Sequence, residues 1–362
     1  MKNTIGNNVS VTIFGESHGD SIGCVIDGLK AGIKIDLNHI QDMLELRKPK
    51  GSISTQRKEQ DDFKIVSGLF NAHTTGTPLT IIIENKSQHS KDYEKTKDLL
   101  RPSHADYTAF EKYNGFQDYR GGGHFSGRIT APLVAAGAIA IQILKSCNIK
   151  IGTHIKNLGN LMDREFHNIS EDIDLLSTLY FPVLDEQAKI DMENKIVECA
   201  NDLDSIGGIL ETCVINLPTG IGEPFFDSLE SILAHYIFSV PGIKGVEFGL
   251  GFDFAKHKGS TANDEFIMKD NIVVTKTNNN GGINGGISNG MPIVIKSSVK
   301  PTPSIYKEQN TVNYKTRQDE KIKINGRHDP AIIHRARVVI DSVVALAIVD
   351  MLCSSNSNGW MK

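Results

Sequence analysis

Residues 9–14 alternate apolar and polar side chains as a half-buried strand does, and they run into the turn Gly15-Glu16-Ser17-His18-Gly19. Asp36 stands where it can cap a helix on which Ile40, Met43 and Leu44 share one face, and Lys48-Pro49-Lys50-Gly51 breaks that helix. Residues 63–70 and 78–84 read as strands around the loop Thr74-Thr75-Gly76-Thr77. Arg101-Pro102-Ser103-His104 feeds a helix over residues 105–113, and Gly121-Gly122-Gly123 follows. Thr130 and Pro132 open a second helix with no polar face, which predicts that it is buried. Further on, the pattern predicts a charged helix at 185–200 and a strand at 209–217. An amphipathic helix then carries Leu229, Ile232, Leu233 and Tyr236.

Residues 278–290 hold five glycines and six asparagines or serines, a composition that also suits a linker. A strand at 292–299 and a long apolar helix at 331–352 follow, however, and both need the same core as the earlier elements. The reading is therefore one domain over residues 1–362 of α+β class, with a functional glycine loop inside it. The two glycine-rich loops, each ahead of a packed segment, suggest an internal duplication. No G-x-G-x-x-G follows a strand, which argues against a dinucleotide-binding fold.

Composition narrows the function. The net charge of −4 argues against condensation on nucleic acid or anionic lipid, so an anion site must come from local clustering of cations. The cysteines number five, widely spaced and without a C-x-x-C pair, which predicts free thiols in a reducing cytoplasm and neither disulfides nor a metal site. Residues 1–10 lack an apolar signal core, and the apolar runs 133–144 and 343–349 fall short of the roughly 20 residues that cross a bilayer.

Basic residues cluster in turns: Arg47, Lys48, Lys50, Arg57 and Lys58 in one stretch, Arg101, Arg120 and Arg128 beside glycine or proline, and Arg327, Arg335 and Arg337 around Asp329-Pro330. Most surface arginines are simply solvated, but free backbone N–H groups in such turns hold anionic oxygens together with guanidinium groups. His18 and His104 lie in separate glycine- or proline-bounded loops, where an imidazole is either structural or a proton carrier. Asp329 before Pro330 is a helix cap, a base, or both. Lys300-Pro301-Thr302-Pro303-Ser304 reads as a rigid anion-binding turn or a plain loop.

Taken together, several motifs resemble one family. They are Gly15-Glu16-Ser17-His18-Gly19, Arg101-Pro102-Ser103-His104-Ala105-Asp106, Tyr119-Arg120-Gly121-Gly122-Gly123 with Ser126-Gly127-Arg128, and Gly326-Arg327-His328-Asp329-Pro330. Their order over nearly the whole chain is similar to that of the chorismate synthases. The resemblance implies a layered β-α-β sandwich, a homotetramer, and reduced FMN as cofactor. It also implies an anti-1,4-elimination of phosphate from 5-enolpyruvylshikimate 3-phosphate, a step toward the aromatic amino acids. By position, His104 would protonate the leaving phosphate, His18 would pass a proton to the flavin, and Asp329 would accept one, with Ser17 and Ser126 as relays. Arg47, Arg57, Arg101, Arg128 and Arg335 would bind substrate. His124, Phe125, Ser126, Pro241, Gly242, Gly285, Lys300, Pro301, Thr302, Pro303, Ser304 and Arg327 would contact flavin.

The chain departs from the family pattern at His124, Phe125 and Ile129, where Arg, Ser and Glu are usual, in the Lys48-Pro49-Lys50 loop, and at Pro241-Gly242. No nucleotide fingerprint accompanies these changes, so reduced flavin is expected from an external reductant. An NADPH-dependent flavin reductase and a non-catalytic phosphometabolite-binding protein are the alternatives.

Overall fold

The computed structural model describes residues 2–51, 53–54, 61–86, 97–324 and 328–356. The chain opens with β1 (Thr4–Ile5), β2 (Ser10–Gly15) and β3 (Ser21–Asp27) and enters α1 (Leu37–Arg47). Asp36 caps α1 by accepting from the backbone N–H of Asn38, and Ile40, Met43 and Leu44 are buried. β4 (Phe63–Ser67), the hairpin β5 (Leu69–Phe70) with β6 (His73–Thr74), and β7 (Leu79–Glu84) follow. The expected single strand at 63–70 is divided at Gly68. Its φ is +79°, and a Cβ there would lie 2.4 Å from the backbone of Leu79.

α2 (Asp106–Tyr113) precedes the triple glycine, and α3 (Thr130–Ser146) follows it. Next come β8 (Lys150–Leu158), β9 (Leu161–Met162), α4 (Ile169–Leu176), α5 (Glu186–Asn201), β10 (Gly208–Ile215), α6 (Leu229–Phe238), β11 (Ile243–Phe248) and the single turn α7 (Gly259–Ala262). Hairpins β12 (Phe266–Lys269) with β13 (Ile272–Thr275) and β14 (Ile283–Asn284) with β15 (Ile287–Ser288) lead to β16 (Ile293–Val299). The hairpin β17 (Gln309–Asn313) with β18 (Gln318–Ile322) and the long α8 (Ile333–Asn356) complete the order.

Two antiparallel five-stranded sheets result, ordered β1-β2-β3-β7-β4 and β11-β16-β10-β8-β9. α3 packs on the first sheet, α8 on the second, and the two helices pack on each other between them. The expected α+β layered β-α-β sandwich is the observed architecture. A Cβ on Gly137 of α3 would stand 2.1 Å from Ser342 Cβ of α8, so glycine is what allows the helices to approach this closely. β16 turns Ile293, Ile295, Ser297 and Val299 inward, the period of two that a strand requires.

α8 fastens both layers by its polar side chains. Thr153 of β8 donates to Asp341 at 2.6 Å, and Asp350 accepts from the backbone N–H groups of Asn7, Asn8 and Val9 at 2.9, 2.7 and 3.0 Å. The helical segments Gly127–Ser146 and Ile333–Ser355 are, at 20 and 23 residues, longer than the apolar runs suggested, and by length and composition alone both would cross a bilayer. They are largely buried inside the protein against each other, the placement of core helices.

Candidate active site

The triple glycine organises the site. Gly121, Gly122 and Gly123 all have left-handed backbones, with φ of 59°, 84° and 52°. A Cβ on Gly121 would fall 2.1 Å from His18 Cε1 and 2.8 Å from Ser17 Oγ; one on Gly122 would fall 3.3 Å from His104 Cε1 and 3.9 Å from Ser126 Cβ. The missing side chains therefore let this turn lie against Ser17, His18, His104 and Ser126 at once. The backbone N–H of Ser17 donates to the Gly123 carbonyl at 3.1 Å, which fastens the end of β2 to the turn. Ser17 Oγ lies 3.1 Å from His18 Nδ1 and 3.2 Å from the carbonyls of Arg120 and Gly121, and both side chains are buried.

Behind the turn runs a chain of guanidinium groups. Arg47 and Arg128 grip opposite oxygens of the buried Asp61 carboxylate, Arg47 at 2.7 Å. Burial pushes the Asp61 carboxyl up, but the two cations hold it below the usual carboxylate range. Arg335 Nε donates to the Arg47 carbonyl at 2.8 Å, and its Nη1 pairs with Asp329 at 2.6 Å. On the other side, Arg128 Nε donates to Asn85 Oδ1 at 3.1 Å. Asn85 Nδ2 donates in turn to the carbonyls of Glu16 and Gly19 at 3.0 and 2.9 Å, which flank His18. Asp329 is thus joined to the His18 turn through Arg335, Arg47, Asp61, Arg128 and Asn85. Asp61 and Asn85 escape a reading of motifs, because each is a polar residue in polar surroundings whose partners are remote in sequence.

A second set of turns closes on His104. Lys300 Nζ donates to the Ser103 carbonyl at 2.7 Å, and its backbone N–H donates to Gly242 at 2.9 Å. Ser205 Oγ donates to the Thr302 carbonyl at 2.7 Å, and a Cβ on Gly207 would meet Pro301 at 2.9 Å. The Ile206 N–H donates to the Pro330 carbonyl at 2.9 Å, next to Asp329. Partial burial, and after it the Lys244 cation, lower Lys300. Thr302 Oγ1 is buried without a hydrogen-bond partner among the described residues, and Ser304 is buried beyond Pro303 in the same turn. Pro241 is exposed before Gly242. A cavity of about 210 Å³ opens beside this region, lined in part by Arg101, His104, Gly122, Phe125, Phe110 and Tyr314.

Not every expected residue meets here. His124 Nδ1 donates to the Gly15 carbonyl at 2.8 Å, bracing the turn, and the half-exposed Phe125 ring packs edge-on against Tyr113. Arg101 directs its guanidinium at Asp106. Gly285 sits on a separate hairpin: the carbonyl of the neighbouring Gly286 accepts from the Leu229 N–H at 2.8 Å, and a Cβ on Gly286 would lie 2.5 Å from the Glu223 carbonyl. Arg57 and Arg327 lie outside the described residues.

Fold and site together define a layered α+β protein in which one glycine turn seats two histidines and a connected run of arginines and carboxylates leads from it. The family model described as chorismate synthase matches residues 9–353. The chorismate synthase of Methanobrevibacter smithii is 46% identical over 98% of this chain and 97% of its own length; that of Pyrococcus abyssi is 44% identical over 96% of each. A crystal structure of a chorismate synthase superposes with a TM-score of 0.76 at 26% identity, covering 98% of this chain and 94% of the other. The chain belongs to the chorismate synthase family.

Proposed function

We propose that this protein converts 5-enolpyruvylshikimate 3-phosphate to chorismate and phosphate, a lyase reaction that uses reduced FMN. The observation that carries the reading is the approach of His18 and His104 to adjacent glycines of one turn, backed by a connected run of guanidinium groups. A substrate with two carboxylates and a phosphate is matched by cations that outnumber the carboxylates among them. Arg47, Arg128 and Arg335 orient its anionic groups.

Among the residues expected at the flavin, Lys300 and Thr302 suit it. The buried, unpartnered Thr302 Oγ1 and the neighbouring Lys300 are a hydroxyl and a cation of the kind that satisfy phosphate or ribityl oxygens. When bound, reduced FMN supplies electron density that lets an allylic phosphate leave without net oxidation. The protein's own groups manage charge and protons. His104 Nε2 gives a proton to the departing phosphate oxygen, while Lys300 and the arginines neutralise its charge. His18 holds a proton on a ring that Ser17 Oγ orients through Nδ1. Asp329, paired with Arg335 through Oδ2, accepts a proton, with Ser126 as a relay.

The nearly full exposure of Phe225, Phe226 and Phe252, 83%, 92% and 83%, supports self-association, and the homotetramer of the family is the assembly proposed. Reduced flavin comes from an external reductant in the cytoplasm. The test is anaerobic mixing of the protein with dithionite-reduced FMN and substrate. Chorismate absorbance and phosphate should appear in equal amounts, and oxidised FMN alone should give neither. No product with reduced FMN would overturn the reading.

A further inference from the structure

The turn before α2 ties His104 to Arg101 and Asp106, two residues without a part in the reaction described above. Asp106 accepts from Arg101 three times: from the backbone N–H at 2.9 Å, from Nε at 2.8 Å and from Nη2 at 2.6 Å. Its Oδ1 also lies 3.1 Å from His104 Nδ1. Burial alone would raise the Asp106 carboxyl, but Arg101 and His104 hold it well below the usual carboxylate range, so it is a fixed anion.

His104 Nδ1 faces two groups at the same distance, the Asp106 oxygen and Arg101 Nη2, each at 3.1 Å. Only one of them can share a hydrogen with it. Nη2 carries two hydrogens and gives one to Asp106 Oδ1 at 2.6 Å, but an unprotonated Nδ1 taking the other would set its lone pair against the carboxylate oxygen 3.1 Å away. The carboxylate has lone pairs to spare. The proton therefore sits on Nδ1 and is donated to Asp106. The opposite edge of the ring, Cε1 and Nε2, faces Gly122, whose Cβ would lie 3.3 and 3.8 Å from those atoms.

We infer that Asp106, clamped by Arg101, is the positioning residue that fixes His104 as its Nδ1–H tautomer, so that Nε2 is the only ring nitrogen that exchanges a proton with substrate. The inference rests on the proposed role of His104 and deepens it. It also gives Arg101 a different task from direct substrate binding: bidentate contact with Asp106 holds the carboxylate plane and leaves the ring one orientation. The step it serves is balanced. Imidazolium Nε2–H breaks as an O–H bond forms on the departing phosphate, and the ring is left neutral with its remaining proton on Nδ1.

The test pairs kinetics with a spectroscopic signature. Asp106→Asn keeps the shape but can offer Nδ1 an amide N–H, which favours the opposite tautomer. In the wild type, ¹⁵N shifts of the neutral His104 ring should report Nδ1–H; in Asp106→Asn they should move toward Nε2–H. Turnover should fall by about 10²-fold while KM changes less than about threefold. Arg101→Lys, which cannot hold both carboxylate oxygens, should lose turnover with the same unchanged KM, and it serves as the reading if Asp106→Asn does not fold. An unaltered tautomer, or a loss confined to KM, would overturn the inference. The tautomer is read without turnover. An inactive wild type with the predicted ring shifts would therefore refute the proposed function alone.

Discussion

The ring of His18 occupies the space that a side chain on Gly121 would need, with the position of such a Cβ only 2.1 Å from its Cε1. The glycine is also held at a φ of 59°, so a substitution there is strained twice. Gly121→Ala should displace His18 and Ser17 and lower turnover by about 10²-fold, since small misplacements of reacting groups carry losses of that order. Gly127→Ala is the control, because a Cβ there meets nothing within 4 Å. Steady-state rates of the two variants check it; equal rates would contradict the role given to the turn.

Asp61 is fully buried between two arginines that are themselves nearly buried. Asp61→Asn removes the charge that both face, and breaking a buried pair in this way costs about 3–5 kcal/mol. Because its folded pKa lies below the unfolded one, Asp61 contributes stability above the usual carboxylate range, and this is lost as pH falls through the depressed folded value. Urea unfolding at neutral and acid pH should show wild type converging on the variant as pH drops.

Much of this fold is legible in the chain, and the misses have a common physical cause. α1, α3, α5 and α6 have recognisable starts, and β7 and β16 follow the period of two of a strand. β8 is not legible. It buries Thr153 against α8 and, on its other face, His154 and Lys156 against Asp163 and Glu211, so both faces carry buried polar residues and the apolar–polar alternation is lost. Candidate site residues set in glycine or proline motifs, such as His18, His104 and Asp329, stand out. Asp61 and Asn85 do not, because their value appears only when Arg128, 67 and 43 positions away, folds onto them.

His334 is a buried histidine whose pKa burial drives down to about 3, aided by the Arg335 cation. A folded value below the ordinary 6.5 means that its stabilising contribution is complete above that pH and is lost as pH falls toward the folded value. Between pH 7 and pH 5 this group should remove about 2 kcal/mol of stability. A His334→Asn variant should lack that share of the pH dependence in denaturant titrations; identical pH profiles would contradict it.

Thr302 Oγ1 lacks a partner among the described residues, which suits a hydroxyl waiting for a ligand oxygen. Thr302→Val removes it with little change of shape. The affinity for FMN, read by calorimetry with substrate present, should fall about 5- to 10-fold, the loss of one hydrogen bond. Unchanged affinity would place the flavin elsewhere.

The most direct measurement is a crystal structure of the protein with FMN and 5-enolpyruvylshikimate 3-phosphate bound together. The substrate phosphate should lie within hydrogen-bonding reach of His104 Nε2, its carboxylates should meet Arg47, Arg128 or Arg335, and the flavin should contact the turn holding Thr302. A substrate bound away from the Gly121–Gly122 turn, with neither histidine near a reacting atom, would contradict all of this.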